Sequence, residues 1–373
     1  MWYTRGCPGA ELTQSKEGGA MNESTRLGEL WQSIQRRLFP RLEDELGELD
    51  EKHREFVAVC ELCDPIPHLR GYRWIGYGCP PKSRLALFKA FVAKSVWNFS
   101  STRDVIDAIR HRPALRRLCG WETLGAVPCE ATFSRAFAAF AEDELAQRVH
   151  EALIAQRYGN KIAGHVSRDA TAIHAREGAV KKKPKEDTGA APETTRLQRQ
   201  LERPLDENLA DLPRVCDWGT KKNSKGKREI WRGYKLNLDA IDGDVPLSWL
   251  LTSASLHDSQ AAIPLAQMSA ERVPSLYDLA DAAYDAREIR EMSARLGHVA
   301  IIDHNPRRGE KRPFAPAEAI RYRERSTAER VFSHLHDNHG GRHVRVRGAA
   351  KVAAHLSFGL LVIAAEQLLK MLC

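Results

Sequence analysis

"YRERSTAERVFSHLHDNHGGRHVRVRG", Tyr322–Gly348, is the stretch on which the reading of this chain turns. Up to the double glycine at Gly340 and Gly341 it has helical character; beyond it, arginines alternate as in an extended segment. At about 100° per residue, with Tyr322 at 0°, Arg325 falls near about −60°, Glu329 near about −20° and His336 near about −40°. Four polar or semi-polar side chains therefore share roughly 60° of one helix face, while Val331 and Leu335 are left to pack elsewhere. Alone, such a row reads as a solvated charged face. Its meaning depends on which other acidic residues can be brought beside it.

Two aspartates stand where strands are predicted. "AGHVSRDATAIHA" (residues 163–175) has β character around Val166 to Ile173, with Asp169 in or just after the strand. "SLYDLADAAYDAREIREMSARLGHVAIIDHN" (residues 275–305) reads as strand, turn, helix, strand, with Asp281 where the first strand ends. Between them, "EIWRGYKLNLDAIDGDVPLSWLLTSAS" (residues 229–255) reads as a hairpin turning at Asp242–Asp244, and "HDSQAAIPLAQMSAER" (residues 257–272) as a helix. Strand ends in a mixed sheet can aim two carboxylates at one place, and Glu329, from a helix packed on that sheet, adds a third. An oxygen-only donor set of this kind suits Mg²⁺ or Mn²⁺, and two such ions promote attack on a phosphodiester.

The wider composition agrees. Of the 373 residues 43% are hydrophobic and 28% charged, ordinary for a globular chain, and the net charge of +8 favours polyanionic partners. Eight cysteines show no disulfide-framework spacing, which points to a reducing compartment; "CELC" (Cys60, Cys63) with His68 and Cys79 imitates a zinc site but lacks a matching second half. Residues 1–20 carry no apolar leader run and read as a disordered extension, with Met21 a more natural start. Residues 21–160 read as helical, with Ser101 or Thr102 capping one helix. The stretch leading to "ATFSRAFAAFA" is either a helix-turn-helix with Thr132, Ser134 and Arg135 near the start of its reading helix, or a plain bundle packed on the next domain. Residues 161–373 form the second domain, interrupted by a polar insertion at about 177–230 that holds "KKKPK" (Lys181–Lys185) and "KKNSKGKR". The apolar run Val352–Ala365 is short for a membrane span and reads as a buried core helix. His257 and Asp258 precede a helix, which Asp258 either caps or leaves in order to support the acidic site from behind; Asp285 caps or supports the helix after Asp281 rather than binding metal. Arg345 and Arg347 share one face of an extended segment, with Arg307 and Arg308 a weaker pair of the same kind.

The spacing Tyr-x-x-Arg-x-x-x-Glu-x-x-x-x-x-x-Lys, met here by Tyr322, Arg325 and Glu329 with His336 at the lysine position, resembles the signature of bacterial insertion-sequence DDE transposases of the lineages numbered four and five. "RDATAIHARE", "LLTSASLHDSQ", "DLADAAYD", "GGRHVRVRG" and "LCGWETLGAVPCEATFSRAFAAFA" are similar to segments of that family, and the resemblance covers roughly residues 80–370. It implies an RNase H-like α/β domain, a mixed sheet flanked by helices, behind an all-helical N-terminal domain that binds DNA ends. Asp169, Asp281 and Glu329 would be the catalytic triad and the ligands of two Mg²⁺ or Mn²⁺ ions. Tyr322, Arg325, His336, Arg342, Arg345, Arg347 and Arg135 would face DNA. The activity implied is cutting of transposon ends and joining of 3′-hydroxyls to target DNA. The implied partners are double-stranded terminal inverted repeats and target DNA, with a synaptic homodimer and no membrane, at the bacterial nucleoid in the cytoplasm. Two alternatives stay open: a catalytically weak DNA-binding regulator, for which the histidine at residue 336 is the motive, and a nuclease with no joining step.

Overall fold

Helix signals dominate the chain up to the first strand, and side-chain caps start three of the helices. The computed structural model describes residues 27–71, 77, 80–159, 161–180, 194–222, 226–306 and 310–372. The extension expected over 1–20, Cys79, the run Lys181–Lys185, and Arg307 and Arg308 lie outside the described residues. Helix α1 (27–46) contains a π-helical turn at Ile34–Leu38. Asp50 accepts from the His53 N–H at the head of α2 (Glu51–Leu62), and Ser83 does the same for Ala86 in α3 (Arg84–Val96). Ser101, rather than Thr102, caps α4 (Thr102–His111), in a reciprocal box with Asp104. Then follow α5 (Pro113–Cys119), α6 (Glu130–Glu142) and α7 (Leu145–Tyr158). Burial pushes the Cys60 thiol up to about 12 and Cys63 higher still, the opposite of what a metal-binding thiolate needs.

The second half alternates strand and helix. Its strands are β1 (Ala163–His174), β2 (Asp217–Lys222), β3 (Arg228–Ile241), β4 (Val245–Ser253), β5 (Ser275–Ala280) and β6 (Val299–Ile302). Its helices are α8 (Arg196–Glu202), α9 (Leu205–Asp211), α10 (Ser259–Arg272), α11 (Arg287–Arg295), α12 (Pro316–Tyr322), α13 (Ser326–Asn338) and α14 (Ala349–Lys370). The sheet order is β2-β3-β1-β5-β6, with β4 also paired to β3. β1 is therefore central: antiparallel to β3, with Asp169 opposite Leu238, and parallel to β5, with Arg168 opposite Ala280. The hairpin reverses at Asp242–Asp244 as expected, with Gly243 and Asp244 at φ +82° and +60°. This mixed sheet flanked by helices fits the expected RNase H-like architecture.

Each sheet face has its own cover. Ile173, Leu236, Leu238 and Trp249 pack on Val331, Leu335, Leu356 and Leu360 of α13 and α14. On the opposite face, Ile263, Ala266, Ile289 and Met292 of α10 and α11 pack with Ala280 and Ile302. The N-terminal helices do not close a core by themselves. Phe91 of α3 lies 4.9 Å from Phe137 of α6 and 5.7 Å from Phe358 of α14, so the C-terminal helix completes their core. By length and composition α14 could cross a membrane, yet it is buried between the two halves.

Two expectations change. The polar insertion carries α8, α9 and β2, because Thr195 and Gln198 form a capping box and residues 217–222 pair with residues 228–233 of β3. The single helix expected from Tyr322 onward is broken: α12 ends at Tyr322, Arg323–Arg325 form a 3₁₀ turn, and α13 starts at Ser326. A 3₁₀ turn winds by about 120° per residue, so the uniform angles do not carry across Arg325.

One buried ion pair locks the sheet to α10. Arg168 donates to Asp239 at 2.7 and 2.8 Å, and Asp239 also accepts from Ser269 at 2.7 Å. Arg168→Ala should cost about 3–5 kcal/mol, because Asp239 is left charged and unpaired in the interior. Arg168→Met with Asp239→Leu should cost much less than the sum of the single changes. Urea midpoints of the three variants check this, and an additive double variant would contradict it.

Candidate active site

β1 sorts its side chains by parity. Arg168 points toward α10, while Ser167, Asp169 and Thr171 point toward α13. The Ser167 hydroxyl donates to the Arg325 carbonyl at 2.5 Å and accepts from the Ala328 N–H at 3.3 Å. It thus takes up one free donor at the head of α13, whose own N-cap residue supplies no side-chain bond. Two residues along, Asp169 is braced by the Ala170 N–H at 2.8 Å. Thr171 then meets His336 Nε2 at 3.2 Å, three turns down the same helix.

Asp281 follows β5 and accepts from the Ala283 N–H at 2.9 Å, which fixes its carboxylate at the carboxyl end of the strand beside β1. Glu329 lies on α13 with its side chain 51% exposed and receives the Arg325 guanidinium at 2.6 Å. That guanidinium carbon lies 5.8 Å from the Tyr322 ring centre. Tyr322, Arg325, Glu329, Asp169 and Asp281 therefore form one electrostatic neighbourhood. Burial, then the charges of Asp281 and Glu329, push the Asp169 carboxyl up to about 7. Asp281 is raised as well, by burial and then by Asp258 and Asp303, with Arg325 opposing. Burial pushes the Tyr322 hydroxyl up to about 12, with Asp303, Asp281 and Glu329 adding to it.

The donor set fits hard cations: three carboxylates, two of them held against ionisation chiefly by burial and then by neighbouring carboxylates. Asp169, Asp281 and Glu329 are not among the described groups whose donor atoms all lie within 4.8 Å of one another. Glu329 reaches such ions only by giving up Arg325, or by sharing it.

The remaining sequence candidates divide. His336 is half-buried against β1 through Thr171, and burial followed by Arg342 lowers its pKa; none of its contacts joins it to the acidic group. Arg342 is tied to Asp337 at 2.6 Å. Arg345 and Arg347 are both exposed, while Val344 between them and the turn is buried, as the alternation predicts. Arg135 is exposed on α6 and donates to Thr132 at 3.4 Å; none of its contacts joins it to the acidic group. Asp258 does not cap α10. Lys235 takes it instead at 2.7 Å, because a neighbouring ammonium outcompetes a backbone N–H for the carboxylate. Asp285 supports α11 through Arg290 at 2.9 Å. Asp303 was not anticipated: its N–H donates to the Ala280 carbonyl at 3.2 Å, beside Asp281. Its position at the carboxyl end of a parallel strand was the available signal.

A carboxyl whose folded pKa stands above its unfolded value weakens the fold as pH rises from the unfolded value to the folded one. For Asp169 that window runs from the ordinary aspartate range to about 7. Asp169→Asn should therefore raise the melting temperature of chelator-treated protein at pH 8 by roughly 2–4 °C, with no gain at pH 4. Mg²⁺ should stabilise the wild type more than the variant. Equal melting of the two proteins at pH 8 would refute the assignment of strain to Asp169.

The family described as "Transposase DDE domain" matches residues 169–364, a span that opens on Asp169 and contains Asp281 and Glu329. The family described as "Transposase domain (DUF772)" matches residues 44–139, within the helical half. No curated protein and no solved structure matches the chain.

Proposed function

Because the chain belongs to the transposase DDE-domain family, we propose that this insertion-sequence transposase is an enzyme that cuts transposon ends and joins their 3′-hydroxyls to target DNA. The observation that carries the reading is the grouping of Asp169, Asp281 and Glu329 from β1, the end of β5 and α13 about Arg325, with both aspartates raised chiefly by burial. Asp169 and Asp281 would hold two Mg²⁺ or Mn²⁺ ions, and Glu329 would complete the second position. Ions so held would supply charge neutralisation for the attacked phosphodiester and a more acidic attacking water or 3′-hydroxyl.

The chain's own groups do the remaining work. Arg325 holds Glu329 until DNA arrives and then offers its guanidinium to a phosphate, a partner it can grip in bidentate fashion. Tyr322, with its hydroxyl kept protonated, donates a hydrogen bond to the backbone. Arg342, Arg345 and Arg347 extend the phosphate track beyond the double glycine, and Arg135 contributes from the helical half, residues 21–160, which binds the inverted repeats. His336 gives the end a hydrogen bond without a permanent charge. Two protomers would synapse the ends, in the bacterial cytoplasm at the nucleoid and without a membrane. The regulator alternative rests on His336 alone, and the buried aspartates favour the enzyme.

With end-containing DNA and Mg²⁺, the protein should yield strand-transfer products, and Asp281→Ala should abolish them. Product formation undiminished in that variant would sink the assignment. Cut but never joined DNA would select the nuclease, and end binding without cutting would select the regulator. His336→Lys should tighten end binding and steepen its salt dependence by about one counterion; an unchanged salt slope would remove residue 336 from the DNA face.

A further inference from the structure

A second group of metal-ligating side chains lies where α2, α13 and α14 meet. His334 is on α13, His339 is its C-cap residue, and Glu366 comes from α14. Their ligand atoms all lie within 4.8 Å of one another. His339 is 2% exposed and Glu366 8%, so both are interior. His339 Nε2 stands 3.4 Å from Glu366 Oε2, and His334 Nε2 stands 3.7 Å from it.

These distances are informative. A charge-assisted N–H···O bond measures about 2.7–2.9 Å, and both are well beyond it. Two ligands each about 2.1 Å from a tetrahedral Zn²⁺ are about 3.4 Å apart. Orientation agrees. His339 Nδ1 lies 3.2 Å from the Ser95 carbonyl, which can only accept, so Nδ1 carries the proton. Nε2 is thereby left facing the Glu366 carboxylate at 3.4 Å, a distance that no direct hydrogen bond explains. His339 Nε2 is buried with no hydrogen-bond partner. A buried ring nitrogen left so is costly unless a cation takes its lone pair. A backbone carbonyl that orients the far nitrogen is also the usual support of a metal-bound histidine. Glu55 of α2 shares a hydrogen bond with Glu366, burial and then that contact pushing its carboxyl up to about 7, and a surface cleft lined by Glu55, Ala58, His334, Glu366 and Lys370 gives access.

We propose that His334, His339 and Glu366 form a structural Zn²⁺ site, with Glu55 or a water as the fourth ligand. Two imidazoles and a carboxylate are a borderline-soft set, which selects Zn²⁺ over Mg²⁺. The site pins the C-terminal end of α13 to α14 and α2. The site's assignment does not depend on the strand-transfer reading.

The test uses tag-free, chelator-treated full-length protein carrying Asp169→Asn and Asp281→Asn, so that the acidic row does not contribute. Elemental analysis after Zn²⁺ addition and gel filtration should return one zinc per chain. Zn²⁺ should raise the melting temperature, and Co²⁺ should give the intense visible bands of a tetrahedral site. His339→Gln, and the milder His334→Gln at a half-buried position, should each weaken Zn²⁺ binding at least as much as the ~10–100-fold loss typical of removing an outer-shell partner. Retained affinity in both variants, or no zinc retained by the unsubstituted cluster, would overturn the proposal. The cobalt spectrum needs no substitution at the cluster, so it decides the matter even if a variant fails to fold; weak octahedral bands would also count against it.

Discussion

The pleat of β1 is the constraint from which the rest of the site follows. Adjacent residues of a strand face opposite sides, so Arg168 and Asp169, neighbours in sequence, serve different layers. Arg168 enters the interior toward Asp239 and Ser269, where a complete ion pair and hydroxyl bond hold the sheet against α10. Ser167, Asp169 and Thr171 share the other face with α13. A slip of one residue against β3 or β5 would send the aspartate into the α10 layer and the arginine toward the acidic group. The interior pair therefore fixes strand register as well as adding stability, and that register gives Asp169 its position.

The helical half and the sheet share α14. Its Phe358 sits among Phe88, Phe91 and Phe137, while Leu356, Leu360 and Ile363 of the same helix pack toward the sheet. An apolar helix of this length would be insoluble if either partner were absent, because each covers a different side. A boundary drawn at about residue 160 thus marks a change of secondary structure while the core continues across it. For a DNA-handling enzyme the consequence is mechanical: force on the helices reaches α13 through a packed helix instead of a flexible linker.

Much of this was legible in the sequence, for identifiable reasons. β1, the Asp242–Asp244 hairpin, the helix at 259–272 and the position of Asp281 all carry strong local signals, either period-2 alternation or turn residues at the right spacing. Asp169, Asp281 and Glu329 lie on the strand, the strand end and the helix where local period and turn signals put them. What escaped was non-local. The 3₁₀ turn at Arg323–Arg325 arises where the Ser167 hydroxyl reaches the Arg325 carbonyl from a strand 158 residues away, and nothing within the helix announces it. Asp258 has good capping spacing yet goes to Lys235, a competitor supplied by β3. His334, His339 and Glu366 are scattered along two amphipathic patterns, and only the packing of α13 on α14 makes them neighbours.

The same contacts explain how a charged and partly exposed residue can be held in place. α13 is anchored at its head by Ser167, along its length by the Thr171–His336 contact, and at its end by the bond from His339 Nδ1 to the Ser95 carbonyl. Gly341 closes the helix by donating to the Leu335 carbonyl at 2.9 Å, and a Cβ there would meet that same carbonyl, so the double glycine that marks the sequence is needed for the chain to leave the helix so tightly. With the rod fixed at three points, the freedom left near Glu329 is rotation of its own side chain and of Arg325. Their ion pair at 2.6 Å is half solvated and i,i+4, a geometry usually worth only about 0.3–0.5 kcal/mol. An interaction that weak is readily exchanged when a phosphate competes for the guanidinium. Rigid backbone and a weak pairing leave α13 carrying a carboxylate fixed in place but loosely held.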